Sequence, residues 1–318
     1  MSSLYLDRKN LGIKLDGQAL AIYEDGVRKG SVPLHLLERI VVHGNAQLES
    51  KVLGALTLRN ISLVILTQRN TEATAILMSR THSDSCRKLG QYRVSLDDNL
   101  RIPLARWLVL VKIRAQQRML RNALKTRADL RRSLTNALQS LAGIIDQLRE
   151  NSHMITLSSL RGLEGAAAAS YFAGFTQLFA PSLNFSGRNK RPPRDPVNVC
   201  LSLGYTLLHH DAVHACQIAG LDTMLGFYHE TSFGRESLAC DLIEPMRPQL
   251  DDWVWQMFRD RILRVEHFSD ENGRCMLNKA GRQHFYTFYE SHCRGLRRLL
   301  KRYGYALSKR YLLIHEGA

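Results

Sequence analysis

The pattern of hydrophobic and polar positions divides the chain into a β-like beginning and a helical remainder. Short, β-rich runs such as LGIKL and QALAIYE are separated by Asp16-Gly17 and Asp25-Gly26, which are typical hairpin turn pairs. The runs ISLVILT and ATAILMS are rich in Val, Ile and Leu, as well-buried strands are, and LESKVLGALTLRN has helical spacing. Residues 1–82 are therefore predicted to form a small, mostly β domain with one helix.

Beyond Ser79 the apolar residues recur at helical spacing and Gly and Pro become scarce, most clearly from Pro103 to Leu148. The predicted fold is α+β, in which a small N-terminal β-rich domain, residues 1–82, is followed by a larger all-helical domain, residues 83–318. The length of 318 residues suits two domains, since one domain takes roughly 100–200 residues.

Composition and charge add a preferred partner to this picture. Apolar residues make up 45% of the chain and charged residues 23%, which is ordinary for a folded globular protein. The 44 Lys and Arg residues exceed the 29 Asp and Glu residues and give a net charge of +15. Such an excess is typical of proteins that bind polyanions, and nucleic acid is the first partner to consider.

Several classes of protein are disfavoured. No apolar run is long enough to span a bilayer, and the start MSSLYLDRKN lacks the apolar core of a signal peptide, so a cytoplasmic protein without a membrane partner is expected. Neither a phosphate-binding G-x-x-x-x-G-K-[ST] loop nor a G-x-G-x-x-G after a strand is present, so no nucleotide cofactor is expected. The six cysteines include no C-x-x-C pair, which argues against a zinc knuckle and a disulfide framework.

Two basic segments are candidates for phosphate contacts. The first is a stripe on one face of a predicted helix, because its members recur at intervals of four, three, four and seven residues: Arg114, Arg118, Arg121, Lys125 and Arg132. A solvated helix face and a DNA-contacting face both remain open for it.

The second basic segment is NFSGRNKRPPRDPVN, residues 184–198. Its three prolines exclude a helix interior and predict an exposed loop. A helix is predicted to start near Pro196 or Val197, with Asp195 as its N-terminal cap. The loop carries four basic side chains: Arg188, Lys190, Arg191 and Arg194.

Candidate chemistry begins at Glu164. It precedes a run of small residues, Ala166 to Ala169, which predicts close approach of another helix. A carboxylate at such a contact is costly to bury unless it is paired or binds a metal. The alternative is a surface glutamate on a turn beside Gly162 and Gly165.

A second candidate group lies in LGFYHETSFGRESLACDLIEPMRP, which contains His229, Asp241 and Glu244. In a helix Asp241 and Glu244 would share a face, but Pro245 disfavours the helical region for Glu244 and also allows a helix start between them. One imidazole with two or three carboxylates suits Mg²⁺ or Mn²⁺ better than structural zinc. The chemistry implied is metal-assisted phosphoryl transfer.

Two other patterns are interpreted as packing. His210 and His214 stand four residues apart, as two ligands on one helix would, but no glutamate of an HExxH motif lies between them and apolar residues surround them. The aromatic residues at helical spacing towards the C-terminus favour a core over base stacking: Trp253, Trp255, Phe285, Tyr286, Phe288 and Tyr289.

The sequence resembles the CRISPR-associated protein 1 family, the integrase and endonuclease of spacer acquisition. The resemblance spans essentially the whole chain and rests on four blocks in family order: GLEG, GRNKRPPRDPVNVCLSLGYTLL, GFYHE and SLACDLIEPMRP. Departures are Pro245, where the family often has an acidic residue, and Ala168 and Ala169, at positions that are often basic.

The resemblance implies a β-rich N-terminal domain that serves in dimerisation, a helical catalytic domain, and a homodimer. It implies that Mg²⁺ or Mn²⁺ is held by Glu164, His229 and Glu244, with Asp241 as a supporting acidic residue of the catalytic group. It also implies double-stranded DNA, both protospacer and CRISPR repeat, and a small second CRISPR adaptation protein as partners. DNA would be positioned by Arg188, Lys190, Arg191, Arg194 and Arg235.

The expected reaction is attack by the 3′-OH of a short duplex on a phosphodiester of a CRISPR array, with the ion lowering the pKa of the attacking hydroxyl. His229 is expected to bind the ion through one ring nitrogen while an acceptor fixes the other. Two rival functions remain: a structure-selective nuclease for branched DNA in repair, which would need the same ligands, and a non-catalytic DNA-binding scaffold.

Overall fold

The computed structural model describes residues 2–8, 10–66, 73–77, 84–150, 155–189, 192–271 and 273–317. A β-rich N-terminal region precedes a mostly helical remainder, which confirms the predicted fold class. None of the described helices is both long enough and apolar enough to cross a membrane.

The N-terminal region contains two four-stranded sheets and one helix. In one sheet the order is β1-β5-β7-β8, with β1, β5 and β7 parallel; in the other it is β4-β3-β2-β6. The elements are β1 Ser2–Leu6, β2 Leu11–Asp16, β3 Ala19–Glu24, β4 Val27–Pro33, β5 Leu37–His43, β6 Ala46–Leu48, α1 Ser50–Leu58, β7 Ser62–Leu66 and β8 Ala73–Leu77.

Both predicted hairpin turns are present. Asp25 and Gly26 have φ angles of 51° and 77°, which a two-residue turn with positive φ at both centres requires, and they join β3 to β4. Gly17, with φ of 57°, lies between the paired ends of β2 and β3. Apolar side chains of both sheets and of α1 form a core of their own beneath these turns.

The remainder is built from eight helices and one hairpin within the described ranges. They are α2 Cys86–Leu96, α3 Asp98–Thr126, α4 Arg131–Glu150, α5 Leu157–Phe175, α6 Pro196–Ile218, α7 Ser237–Ile243, α8 Arg247–Arg259, β9 Phe268–Glu271, β10 Arg274–Leu277 and α9 Lys279–Glu316. The helix α6 begins at Pro196, and the Asp195 side chain accepts from the backbone N–H of Asn198 at 2.9 Å, as predicted.

The β9–β10 hairpin departs from the all-helical prediction for residues 83–318. Its strands have only four residues each, too few for period-two alternation to stand out beside the long helices. Gly273, with φ of 74°, occupies the turn position that favours glycine.

A buried ionic network joins the N-terminal sheet to the helices. Arg39 of β5, 2% exposed, donates to Asp211 of α6 at 2.8 Å and to Glu290 of α9 at 3.0 Å. Arg297, about two turns further along α9, pairs with the same two carboxylates at 3.1 and 2.6 Å. Tyr5 of β1 donates to Glu290 at 2.5 Å. The network fixes the sheet against α6 and α9, both of which contact α7, the helix that directly precedes Glu244.

Candidate metal centre

The α5 and α7 segments bring two of the predicted carboxylates to a single cation. Lys112 of α3 forms ion pairs with Glu164 of α5 and, at 2.5 Å, with Glu244, which lies in a short 3₁₀ turn directly after α7. Burial lowers the pKa of Lys112, but the two carboxylates outweigh this effect and leave the pKa raised. Lys112 is therefore charged, and it bridges two carboxylates that lie 52 and 132 positions later in the sequence.

Glu244 is held ionised by the groups around it. It is 5% exposed, and its second oxygen contacts Nε of Arg247 at 2.8 Å. Burial raises the pKa of this carboxyl, but Arg247, Lys112 and His229 together lower it to about 2. Pro245 does not displace the residue from helical geometry: Glu244 has φ of −53° and ψ of −46°, so the chain passes from α7 to α8 through a tightened turn.

Asp241 organises the segment that carries His229. It is fully buried and accepts hydrogen bonds from the backbone N–H groups of Phe227, Tyr228 and His229 at 2.7, 3.0 and 3.0 Å. It also contacts Nδ1 of His229 at 2.6 Å. Because a carboxylate only accepts, Nδ1 carries the proton, so Nε2 is the nitrogen free to bind a metal. Asp241 is thus the acceptor that the sequence required for His229 without identifying it.

Gly226 makes this arrangement possible. A Cβ at that position would lie 2.6 Å from Oδ2 of Asp241 and 3.0 Å from the backbone of Ser237. No side chain other than hydrogen fits there without moving the carboxylate.

Two arginines fasten the His229 segment to the helices of the site. Arg101 of α3 donates to the backbone oxygen of Phe227 at 2.8 Å and lies 3.3 Å from the Glu230 carboxylate. Arg161 of α5 donates to the same carboxylate at 2.5 Å. The imidazole is therefore positioned by the helices that supply Lys112 and Glu164.

The donor set fits a hard divalent cation by its chemistry. Two carboxylates and an oriented imidazole are ligands that Mg²⁺ and Mn²⁺ accept. Across the described ranges, however, no three His, Cys, Asp or Glu side chains are placed so that they could hold a metal ion together. The Lys112 ammonium lies between Glu164 and Glu244 and supplies the compensating positive charge instead.

The small residues around the α5 carboxylate pack against other helices only in part: one of them is buried where α5 meets its neighbours, and most of the others are exposed. Gly162, Gly165, Ala166 and Ala169 are exposed, and a Cβ on either glycine would meet nothing within 4 Å. Only Ala167 is buried. These positions therefore leave an exposed surface on α5 next to the carboxylate.

The structure places the predicted DNA-binding residues in different situations. Arg188 is partly buried; it donates to Oδ1 of Asn198 at 2.7 Å and to Oγ of Ser202 at 3.0 Å, both on α6. Its guanidinium lies 5.4 Å from the centre of the Tyr205 ring, and burial lowers its pKa. Arg188 therefore serves to fasten the start of the basic loop to α6.

The other members of that set differ from Arg188. Arg194 and Arg235 are exposed, the latter in the loop between His229 and α7. Lys190 and Arg191 lie outside the described residues. Arg194 and Arg235 are thus two predicted DNA-binding residues that lie at the protein surface, where a polyanion can reach them.

Lys112 and Arg247 are site residues that the sequence prediction missed. A signal for Lys112 exists, since it stands three and four residues after the buried Val109 and Leu108 and so falls on the apolar face of α3. A lone cation on a buried face needs an anionic partner. Arg247 follows Glu244 by three residues, a spacing at which helical side chains meet.

The two patterns interpreted as packing are confirmed as such. His210 and His214 are buried on α6, and burial lowers the pKa of His210 to about 4, so it is neutral at ordinary pH. Five of the six aromatic residues are buried in the core: Trp253, Trp255, Phe285, Tyr286 and Tyr289. Neither set joins the metal centre.

The amino-acid sequence matches a known protein family over most of its length. The family model for CRISPR associated protein Cas1 matches residues 4–291. A CRISPR-associated endonuclease Cas1 from Thermodesulfovibrio yellowstonii is 38% identical over 292 residues, which cover 91% of this chain and 91% of that protein.

Solved structures share the fold. A Cas1 protein from Thermotoga maritima superposes with a TM-score of 0.81 at 24% identity, covering 98% of this chain and 97% of that one. A casposase bound to integration product gives 0.80 at 19% identity, with 98% and 91% covered. A chain of a Cas6-RT-Cas1–Cas2 complex gives 0.81 at 23% identity, with 98% and 35% covered. With a family match over nearly its whole length, this chain belongs to the Cas1 family of CRISPR-associated proteins.

Proposed function

We propose that this protein is a divalent-metal-dependent DNA endonuclease and integrase, which inserts new spacer DNA into a CRISPR array by attack of a 3′-OH on a phosphodiester. The observation that carries the proposal is the meeting of Glu164 and Glu244 at one cation, with His229 close enough to lower the pKa of Glu244. Two carboxylates from separate segments of the chain are the donors that phosphoryl-transfer metal sites use.

The comparisons support this function and its partners. The Thermodesulfovibrio relative is named an endonuclease, and the casposase of the same fold is bound to an integration product. The complex that contains Cas1 and Cas2 supports a small second adaptation protein as partner. A homodimer formed through residues 1–82, as the family resemblance implies, belongs to the same proposal.

Glu164, His229 and Glu244 are the proposed ligands, and Mg²⁺ or Mn²⁺ is the proposed ion. When bound, the ion lowers the pKa of the attacking hydroxyl and neutralises charge on the reacting phosphate. Asp241 has a positioning role, because it holds the His229 ring and three backbone N–H groups.

Lys112 and the open α5 surface complete the proposed site. Lys112 keeps two carboxylates together before an ion arrives, so the centre does not have to form from mutually repelling groups. The small residues of α5 leave room for a DNA backbone beside Glu164. Arg194 and Arg235 supply exposed charges for phosphates, which position DNA without reading its sequence.

The test is a joining assay with a labelled 3′-OH duplex and a supercoiled plasmid that carries a CRISPR array. Wild type and Glu164→Gln are compared with Mn²⁺ or EDTA, each with and without the second adaptation protein. Label joined to the plasmid only in wild type with Mn²⁺ is the expected result. Metal-dependent cutting without joining would instead favour the branched-DNA nuclease, and tight binding unaffected by EDTA, with no reaction, would favour the scaffold.

A further inference from the structure

A second basic surface lies apart from the candidate metal centre, in a groove between α3 and α4. The groove has a volume of about 560 Å³. Four exposed cations of α3 line it, Arg114, Arg118, Arg121 and Lys125, and Asp146 and Arg149 of α4 form part of the opposite wall. These four cations belong to the stripe that the sequence pattern identified.

The charge of this groove is largely uncompensated. It is lined by five cationic side chains and one carboxylate. Among the described residues that line it, one ion pair occurs, between Arg149 and Asp146 at 3.6 Å. Among the described side chains, Arg121 and Lys125 form hydrogen bonds with the neutral amides of Gln117 and Asn122.

The larger groove of about 1190 Å³ between the end of α5 and the end of α8 differs in this respect. Three of its four arginines face a neighbouring carboxylate, in the pairs Arg127–Asp129, Arg259–Asp260 and Arg264–Glu266. Its field is therefore weaker despite its size, and the α3–α4 groove is the better site for a polyanion.

The α3–α4 groove faces away from the metal centre. At 100° per residue, the four α3 cations lie about 180° to 240° around the helix axis from Lys112. A helix with its side chains is about 10–12 Å thick, so the body of α3 separates the groove from the two carboxylates. The phosphate that reacts at the centre cannot occupy the groove as well.

We propose that the α3–α4 groove binds the backbone of a second DNA duplex while the first is held at the metal centre. From Arg114 to Lys125 the helix rises about 16 Å, which is the length over which one DNA strand presents about five phosphates. The four α3 cations match this run of charge. The inference rests on the proposed function, since a joining reaction needs two DNA molecules on one protein.

The test measures capture of a second duplex in EDTA, so that no reaction takes place and failure of the proposed chemistry cannot affect the result. A biotinylated duplex is immobilised and loaded with protein, and a fluorescent duplex is then added. The groove variant Arg114→Gln/Arg118→Gln is compared with Arg298→Gln/Arg302→Gln on α9, which removes the same charge from exposed helical positions. Thermal unfolding establishes that both variants fold.

We expect wild type and the α9 variant to capture the fluorescent duplex and the groove variant to capture about tenfold less, with a salt slope lower by about 1.8 for two lost contacts. Arg114→Lys/Arg118→Lys, which keeps the charge, should restore capture. Capture unchanged in the groove variant, or lost equally in the α9 variant, would overturn the proposal. Failure of wild type to join DNA in the separate assay would instead overturn only the integrase function.

Discussion

At the scale of single residues, Lys112 sets the electrostatics of the metal-free site. It neutralises two carboxylates, one of which is almost completely buried. Removing one partner from such a group leaves uncompensated charge in a poorly solvated place. A divalent cation can take over this compensation, so the residue and the ion should substitute for one another in stabilising the fold.

We therefore expect Lys112→Met to lower the free energy of unfolding in EDTA by about 3 kcal/mol, the usual scale for breaking a buried ion pair. Mn²⁺ should recover more stability in this variant than in wild type. Urea unfolding with EDTA or Mn²⁺ measures both quantities, and Arg118→Met, an exposed cation on the same helix, is the control. An equal loss with and without Mn²⁺ would show that Lys112 does not share the site of the ion.

Gly226 gives a second test, because its missing side chain leaves room for Asp241. Gly226→Ala should cost about 2 kcal/mol of stability through overpacking. It should also weaken Mn²⁺ binding by roughly tenfold or more, since His229 loses its oriented acceptor. Unfolding and a Mn²⁺ titration followed by electron paramagnetic resonance measure the two effects.

The matched control is Gly165→Ala on α5, where a Cβ meets nothing within 4 Å. It should raise stability by about 0.5–1 kcal/mol, because alanine favours a helix interior over glycine. Loss of Mn²⁺ binding in Gly165→Ala but not in Gly226→Ala would contradict the positioning role given to Asp241.

Four candidate site residues could be named from the sequence, because each lies in a short block that resembles a family motif: Glu164, His229, Asp241 and Glu244. These motifs did not find Lys112, whose partners lie on other helices. Periodicity places a side chain on a face of its own helix and says nothing of what that face meets. The contact between Asp241 and the His229 ring was also missed, because it joins a helix to a loop and has no periodic signal in the sequence.

At the scale of elements, the ionic network between β5, α6 and α9 makes the junction sensitive to acid. Burial raises the pKa of Glu290, but Arg297 and Arg39 lower it to about 2 from an ordinary value of 4.5. A carboxyl whose pKa is depressed by folding stabilises the fold above its unfolded pKa. That contribution is lost as the pH falls through the folded pKa.

We expect wild type to lose up to about 3 kcal/mol from this group between pH 4.5 and pH 2, which corresponds to a shift of about 2.5 pKa units. Glu290→Gln should be less stable at pH 7 but should show a shallower decline over that window. Urea unfolding at a series of pH values measures the slope. A parallel decline in both proteins would remove Glu290 from the acid response.

Some element boundaries follow from the sequence, and the departures have physical reasons. The turns at Gly17 and Gly26 and the cap at Asp195 act locally and are readable from neighbouring residues. The β9–β10 hairpin was missed because four-residue strands show almost no periodicity. Glu244 keeps a helical conformation before Pro245 despite the local steric preference, and it forms ion pairs with Lys112 of α3 and with Arg247 three residues later.

At the scale of the whole molecule, the excess of 15 positive charges should make the proposed association with DNA strongly dependent on salt. Exposed arginines should contribute more to this salt dependence than arginines whose guanidinium groups are held by hydrogen bonds within the protein. Arg194→Gln/Arg235→Gln should weaken binding to all sequences alike and lower the salt slope by about 1.8. Fluorescence anisotropy across a salt series, on two unrelated duplexes, measures this.

Arg188→Gln is the informative comparison, because its guanidinium is held by Asn198 and Ser202. It should lower stability while leaving the salt slope nearly unchanged. An unchanged slope in the Arg194 and Arg235 variant would exclude those side chains from the DNA interface. Net charge alone predicted a polyanion partner, but the separation of anchored from available cations required three-dimensional packing.

The network around Arg39 also orders events during synthesis on the ribosome. Tyr5 leaves the ribosome 285 positions before its acceptor Glu290, and Arg297 follows later still. The N-terminal sheets have a hydrophobic core of their own and can form early. The Arg39 guanidinium, however, can meet Asp211 as soon as α6 has been made, but it meets Glu290 only after α9 has been translated. A nascent chain that stalls before α9 is complete therefore holds its N-terminal sheet through one of the two carboxylates of the network and lacks the other.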